Sequence, residues 1–331
     1  MHMADALLSP FVAATMYACS TVAAGHSVRR VKLVEDREKV PVMGVMGAFV
    51  FGAQMINFTI PGTGSSGHLC GGMLLSAVLG PEAGFLTMIG ILLIQCLVFA
   101  DGGLLALGAN VWNMAFYGCF IGGFLIWRGM MKRGVSKKRI FAASILGCIL
   151  TLQLGAFSVV LETTASGITE LPFGVFAGVM QPIHLAIGLV EGLITAAVLV
   201  FLYEVRPELL WGTGETEREA RWPAKTVVLS LAGITVVVAG FVSLFASAFP
   251  DGLEWSVERV TGVTELERTG GVYSLAERLQ TATAVLPDYS VQGMNAAGTS
   301  ISGIVGGAIV VLLCLLFCGA LKWVRKQRRN E

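Results

Sequence analysis

The chain has 331 residues, of which 55% are hydrophobic and only 14% charged, giving a mean hydropathy of +0.74. Soluble globular domains and nucleic-acid binders need more charge than this, so neither is expected. The formal net charge of +1 says less than the placement of the charges along the chain.

The chain opens Met1-His2, with no basic segment before the first apolar run and no clear small-x-small site, so no cleaved leader is expected. A second residue as bulky as His2 also disfavours removal of Met1. These two residues offer three nitrogens: the α-amine, the backbone N of His2 once deprotonated, and His2 Nδ1. Around one ion they close fused chelate rings in a single plane. A fourth nitrogen completes a square N4 site, the geometry that suits Ni(II) or Cu(II) rather than Mg or Ca. The candidate fourth donor is His68, which ends the loop Pro61-Gly-Thr-Gly-Ser-Ser-Gly-His68.

Apolar runs of about 20 residues, enough to span a bilayer, fall near 6–27, 40–59, 83–100, 103–127, 139–161, 173–203, 225–249 and 301–323. A shorter run, 69–80, is stopped by Pro81. Its length rises only about 18 Å, against a hydrocarbon core of about 30 Å. It is expected to start below the membrane surface, with the Gly-rich loop dipping in ahead of it. Irregular backbone is tolerated at that depth only where it is packed in protein or lines a cavity. His68 is therefore expected in a pocket.

Counting the short run gives nine spans, so the termini fall on opposite sides. Segments 28–39, 128–139 and 204–225 and the tail from Lys322 hold 20 of the 23 Lys and Arg residues. Nine alternating spans put all four segments on one side, which is then cytoplasmic. The amino terminus and the 58–68 loop share the outer side. The fold expected is an all-α polytopic transmembrane bundle of about seven spans plus a two-span C-terminal unit. Residues 1–204 form the first unit, 205–224 a cytoplasmic linker carrying Glu215, Glu217 and Arg218, and 225–331 the second, with an outer loop at 250–300.

Polar residues inside the runs are costly in lipid unless partnered, so they should face inward. Gln54, Asn57, Gln95, Asp101, Asn110, Asn113, Gln153, Gln181 and His184 form such a layer. It reads either as interhelical hydrogen bonding or as a shell orienting the histidines, for which Asn57, Asp101 and His184, together with Ser66 of the loop, are the candidates. Gln181, His184, Gly188 and Glu191 share one helix face. The seven cysteines lack CxxC pairing and read as core residues. Cys70, two residues after His68, is the one candidate thiolate ligand.

Three motifs imitate other chemistry. Gly62-Thr-Gly64-Ser-Ser-Gly67 matches a dinucleotide fingerprint but lacks a βαβ context. Gly62 and Gly67 have P-loop spacing, but His68 stands where the phosphate-binding Lys belongs, so ATP hydrolysis needs a separate subunit. Gly64-Ser65-Ser66-Gly67 resembles the rhomboid intramembrane-protease motif, with Ser66 as nucleophile and His184 as base, and gives the rival enzymatic reading.

Several motifs in order carry a wider resemblance: Met1-His-Met-Ala-Asp-Ala-Leu-Leu-Ser-Pro10, Asn57 to Leu69, Asp101-Gly-Gly-Leu-Leu-Ala-Leu-Gly-Ala-Asn110 and Gln181-Pro-Ile-His184 to Gly192. They resemble the CbiM/NikM substrate-binding components of energy-coupling-factor transporters. Pro250-Asp-Gly-Leu-Glu254 resembles the signature of the small N subunit, fused here behind the M part. The resemblance implies uptake of Ni(II), or alternatively of Co(II) for cobalamin synthesis, with Met1, His2 and His68 as ligands and no organic cofactor. It also implies a transmembrane coupling subunit and cytosolic ATPase subunits as partners, in a cell membrane and without nucleic acid. The Ser-Gly-His-Leu form of the loop is closer to the NikM version, which favours nickel.

Overall fold

A computed structural model describes residues 1–31, 39–213, 219–291 and 293–330 of the protein. Among the described residues, eleven helices longer than a single turn follow one another along the chain. They are α1 (Pro10–Arg30), α2 (Lys39–Gln54), α3 (Gly72–Leu79), α4 (Pro81–Phe99), α5 (Leu107–Met131), α6 (Lys137–Ser166), α7 (Phe173–Val205), α8 (Ala224–Gly240), α9 (Gly252–Thr261), α10 (Gly271–Thr283) and α11 (Asn295–Asn330). Among the described residues, six segments are long and apolar enough to cross a membrane: α4 to α7, Ala224–Phe245 and Ala297–Gln327. Helix α1 has 21 residues but carries Ser, Thr and His along its length, and α2 is a shorter apolar helix.

The first apolar run does not become one helix. Pro10 occupies the first helical position and Ser9 Oγ accepts from the Val12 N–H, so α1 begins there. Residues 1–9 are left as a separate strap that runs into the protein. The second run likewise stops at Gln54, and the chain turns into a hairpin of β1 (Phe58–Ile60) and β2 (Ser65–Gly67). Its register pairs Phe58 with Gly67, Thr59 with Ser66 and Ile60 with Ser65. Gly62 and Gly64, with φ of 77° and 76°, make the turn that other residues resist.

The short run after the loop is α3, whose eight residues are all buried, as the length argument requires. Glu191 on α7 holds its start: the Cys70 and Gly71 N–H groups donate to the Glu191 carboxylate at 3.0 and 2.9 Å. The Gly-rich helix faces are packing surfaces within the chain. A Cβ at Gly192 would lie 2.8 Å from Ile145 Cα, and one at Gly118 would lie 2.9 Å from Gly72 Cα. On α11, a Cβ at Gly306 would overlap the Phe51 ring of α2, so the C-terminal unit packs against the first unit.

The linker is partly docked. Leu209 and Leu210 are buried, the Trp211 N–H donates to the Ala77 carbonyl, and Trp127 Nε1 donates to the Trp211 carbonyl. Of the charges expected there and in the first basic segment, Glu215, Glu217, Arg218, Lys32 and Arg37 lie outside the described residues. The segment 250–300 is no plain loop, since it holds α9, α10 and a short 3-10 turn, Pro287–Tyr289.

Glu191→Ala leaves two buried backbone N–H groups without their acceptor. It is expected to cost about 2–4 kcal/mol of stability, read as a lower midpoint of thermal unfolding in detergent. Glu191→Gln, which keeps one acceptor oxygen, should lose less.

Candidate metal centre

The strap of residues 1–9 is positioned by backbone-like contacts. The Met3 N–H donates to Asn110 Oδ1 at 2.7 Å, and Asn110 Nδ2 donates back to the Met3 carbonyl at 3.2 Å. That carbonyl also accepts from the Gly103 N–H, and the Ala106 N–H donates to Asp5 Oδ1. Gly103 is required beside the strap, because a Cβ there would collide with Asp5. The strap thus enters the interior of the protein. The structure adds that Asn110 pairs with the backbone of residue 3 as a strand neighbour would.

These contacts deliver Met1 to a buried position where its nitrogen lies 2.9 Å from His68 Nε2. His68 Nδ1 is 3.1 Å from the Leu69 carbonyl. A donor there keeps the proton on Nδ1 and the Nε2 lone pair toward the amine. The His2 ring stacks on the His68 ring, with centroids 5.3 Å apart and planes 21° apart. His2 Nδ1 faces Asp101 Oδ1 at 3.1 Å, and Nε2 faces Gln95 Oε1 at 3.1 Å. Tyr289 donates its hydroxyl to the other Asp101 oxygen at 2.5 Å. The Met1 amine and His68 Nε2, two of the four expected donors, are thus side by side, while His2 Nδ1 is engaged by Asp101.

The residue that sequence reasoning missed is Asp251. The terminal ammonium donates to Asp251 Oδ2 in a buried ion pair, and the same oxygen is 3.6 Å from His68 Nε2. The D-x-x-E pattern of Asp251 and Glu254 announces a helix start, but nothing in it announces a partner 250 residues away. Burial would raise the Asp251 carboxyl. The amine and His68 beside it outweigh that and hold it well below the usual carboxylate range. Burial lowers His2 to about 4, against the opposing pull of Asp101, so the ring is neutral near pH 7.

The other sequence candidates divide. Asn57 is half-buried on the wall of the cleft, and its carbonyl accepts from the Ser247 N–H. Ser66 is buried and its hydroxyl is engaged by backbone: Oγ lies 2.8 Å from the Phe249 carbonyl and 3.2 Å from that of Pro250. His184 Nδ1 is 2.8 Å from the Met180 carbonyl and its Nε2 has no hydrogen-bond partner. Ser66 and His184 therefore form no nucleophile–base pair, which removes the protease reading. His184 does share a small void with Met1, His68, Cys70 and Asp251. Gln153 and Gln181 belong to packing, each reaching the other's backbone carbonyl between α6 and α7.

A cleft of about 640 Å³ opens on His2 and His68. Asp5, Asp101, Glu254, Glu265, Glu267 and Glu277 line it, so its field draws cations inward. Among the described residues, no group of three or more His, Cys, Asp or Glu side chains is arranged to hold a metal.

Residues 2–209 match the family described as "Cobalt uptake substrate-specific transmembrane region", and residues 225–323 match the PDGLE domain. The chain is 36% identical over 316 residues to a protein of Archaeoglobus fulgidus named as a fused nickel transport protein NikMN, covering 95% of this chain and 96% of that one. A fused nickel transport protein NikMN of Rhodobacter capsulatus is 27% identical over 339 residues, 94% of this chain and 95% of its own. A cobalt transport protein CbiM of Geobacter sulfurreducens is 29% identical over 270 residues, 80% of this chain and 75% of its own. A solved truncated transition metal transporter superposes with a TM-score of 0.54 and 31% identity, over 62% of this chain and 99% of that one.

Because His2 titrates at about 4 when folded and near 6.5 when unfolded, the unfolded chain binds more protons between those values. Its contribution to stability is complete above about pH 6.5 and is lost as the pH falls toward 4. In thermal melts across that window His2→Gln should lose less stability with falling pH than wild type.

Proposed function

This chain belongs to the CbiM family of substrate-specific transmembrane regions, with a PDGLE domain fused behind it, and on that premise we propose that it captures Ni(II) from outside the cell for ATP-driven import. It is a multi-pass membrane component of metal transport and not an enzyme. The ligands in this reading are the Met1 amine, the backbone N and Nδ1 of His2, and His68. The observation that carries it is the 2.9 Å separation of the Met1 nitrogen from His68 Nε2 in a buried site.

Binding then proceeds by exchange. The ammonium and the His2 amide each lose a proton when the ion arrives. His2 Nδ1 gives up Asp101 for the ion. The Nε2–H tautomer that frees Nδ1 has its acceptor ready in Gln95 Oε1. A neutral imidazole makes that exchange without releasing a proton of its own. The acidic cleft raises the local concentration of divalent cations, but affinity by itself would prefer Cu(II). Selectivity therefore rests on the square geometry and on which ion is available outside.

Nickel is favoured by two relatives that align over about 95% of the chain, each named as a fused nickel transport protein. Cobalt is the second reading, favoured by the name of the matching family and of the Geobacter relative. Energy comes from partners in this scheme: a transmembrane coupling subunit and cytosolic ATPase subunits, since His68 replaces the lysine a phosphate loop needs. An outside amino terminus is supported by the grouping of basic segments. Arg325 on the tail donates to the Val31 carbonyl at the end of α1, and Lys137 pairs with Glu204.

Elemental analysis and absorption spectra of the purified chain test the site. Wild type with an unmodified terminus should hold about one Ni(II) per chain and show the yellow d–d band of a planar low-spin ion. Adding one residue before Met1, or His2→Ala, should abolish both; His68→Ala should weaken retention by about 100-fold. Normal nickel in an N-terminally tagged protein would overturn the site. Cobalt in place of nickel after growth in both would overturn the metal.

A further inference from the structure

The five residues Pro250 to Glu254 are each committed to the amino-terminal site. The Pro250 carbonyl accepts from the Ser66 N–H at 2.8 Å, so the segment runs on from the hairpin edge. Asp251 Oδ1 accepts from the Leu253 and Glu254 N–H groups at 2.7 and 3.0 Å and starts α9. Glu254 returns the bond by accepting from the Asp251 N–H at 2.9 Å. Gly252 lies where a Cβ would be 2.7 Å from Ile187 and 3.1 Å from the His184 ring. Leu253 is buried beneath. With Oδ1 used as the cap and the backbone fixed on both sides, Oδ2 is aimed at the ammonium and His68.

We propose that Asp251 is a positioning residue for metal capture: its carboxylate holds the amine against His68 before an ion arrives and remains as counter-ion to the loaded chelate. This rests on the N4 reading above. The charges fit both states. The ion-free site has one ammonium against one carboxylate. Loading adds a 2+ ion and expels one proton from the ammonium and one from the amide, leaving a 1+ chelate against the same carboxylate. The buried site stays neutral throughout, so neither state leaves an uncompensated charge out of water. A preassembled amine also spares the incoming ion the ordering of a flexible terminus.

The test uses the full chain with its Met1-His2 terminus free, in detergent, with Ni(II) alone as the probe. Asp251→Asn removes the charge but keeps a residue equally able to start α9; Asp251→Ser, also a cap former, repeats the measurement if the first variant is not recovered. In ion-free protein, acylation of the α-amine by an activated ester, followed by mass spectrometry, should be about tenfold faster in the variant than in wild type. Nickel affinity should fall about tenfold, with the absorption band unmoved, because the nitrogen donors are intact. Equal acylation and equal affinity would overturn the proposal and leave the N4 site standing. A displaced band would overturn it differently, by making Asp251 a ligand. If wild type shows no planar band, or His2→Ala keeps it, the N4 reading itself fails and this proposal falls with it.

Discussion

The structure depends on how a positive charge is housed inside an apolar protein. A terminal ammonium taken from water costs several kcal/mol unless it is paired and hydrogen-bonded. Here Met1 is 5% exposed and the counter-charge for its amine comes from Asp251. Around that pair the fold makes matching concessions. Helix α1 starts late so that the strap can enter, and Asn110 takes the place of a neighbouring strand for Met3. Gly103 has no side chain where Asp5 must pass. The hairpin carries His68 to the amine from the opposite side.

Two further carboxylates extend the same logic downward. Glu191 anchors the start of α3 just below His68, and Glu162 accepts from Asn113 Nδ2, whose amide also reaches the Met3 sulfur. Helix α3 is short and fully enclosed because lipid could not satisfy the irregular backbone before it. The strap that carries His2 and the segment that carries His68 are therefore braced by packed helices rather than left free. That support holds the Met1 nitrogen 2.9 Å from His68 Nε2.

Much of this was legible in the sequence because it obeys periodicity and chemistry that act locally. Hydropathy located the helices, the length of the 69–80 run located α3, and the 3–4 spacing of His184, Gly188 and Glu191 located a buried face. Met1, His2 and His68 stood out because few residue types offer nitrogen donors at such spacing. Other features were hidden for stated reasons. The hairpin lies in a Gly-rich stretch with no alternation to read. Helices α9 and α10 sit in a segment whose charges resemble those of a solvated loop. Asp251 shows its capping role locally, but its second oxygen acts across the whole chain, and no spacing rule reports such a contact. Gln153 and Gln181 show the converse, polar groups at plausible depth that turned out to brace two helices.

Carrying the amine and its counter-ion on one polypeptide has a kinetic consequence. Separate subunits would meet by diffusion, at a rate set by their abundance in the membrane. Here the partly docked stretch around Trp211 keeps the second unit tethered, at an effective local concentration that dilution cannot lower. Release of Asp251 from the amine is then a unimolecular opening, with a closing rate independent of how much protein the cell makes.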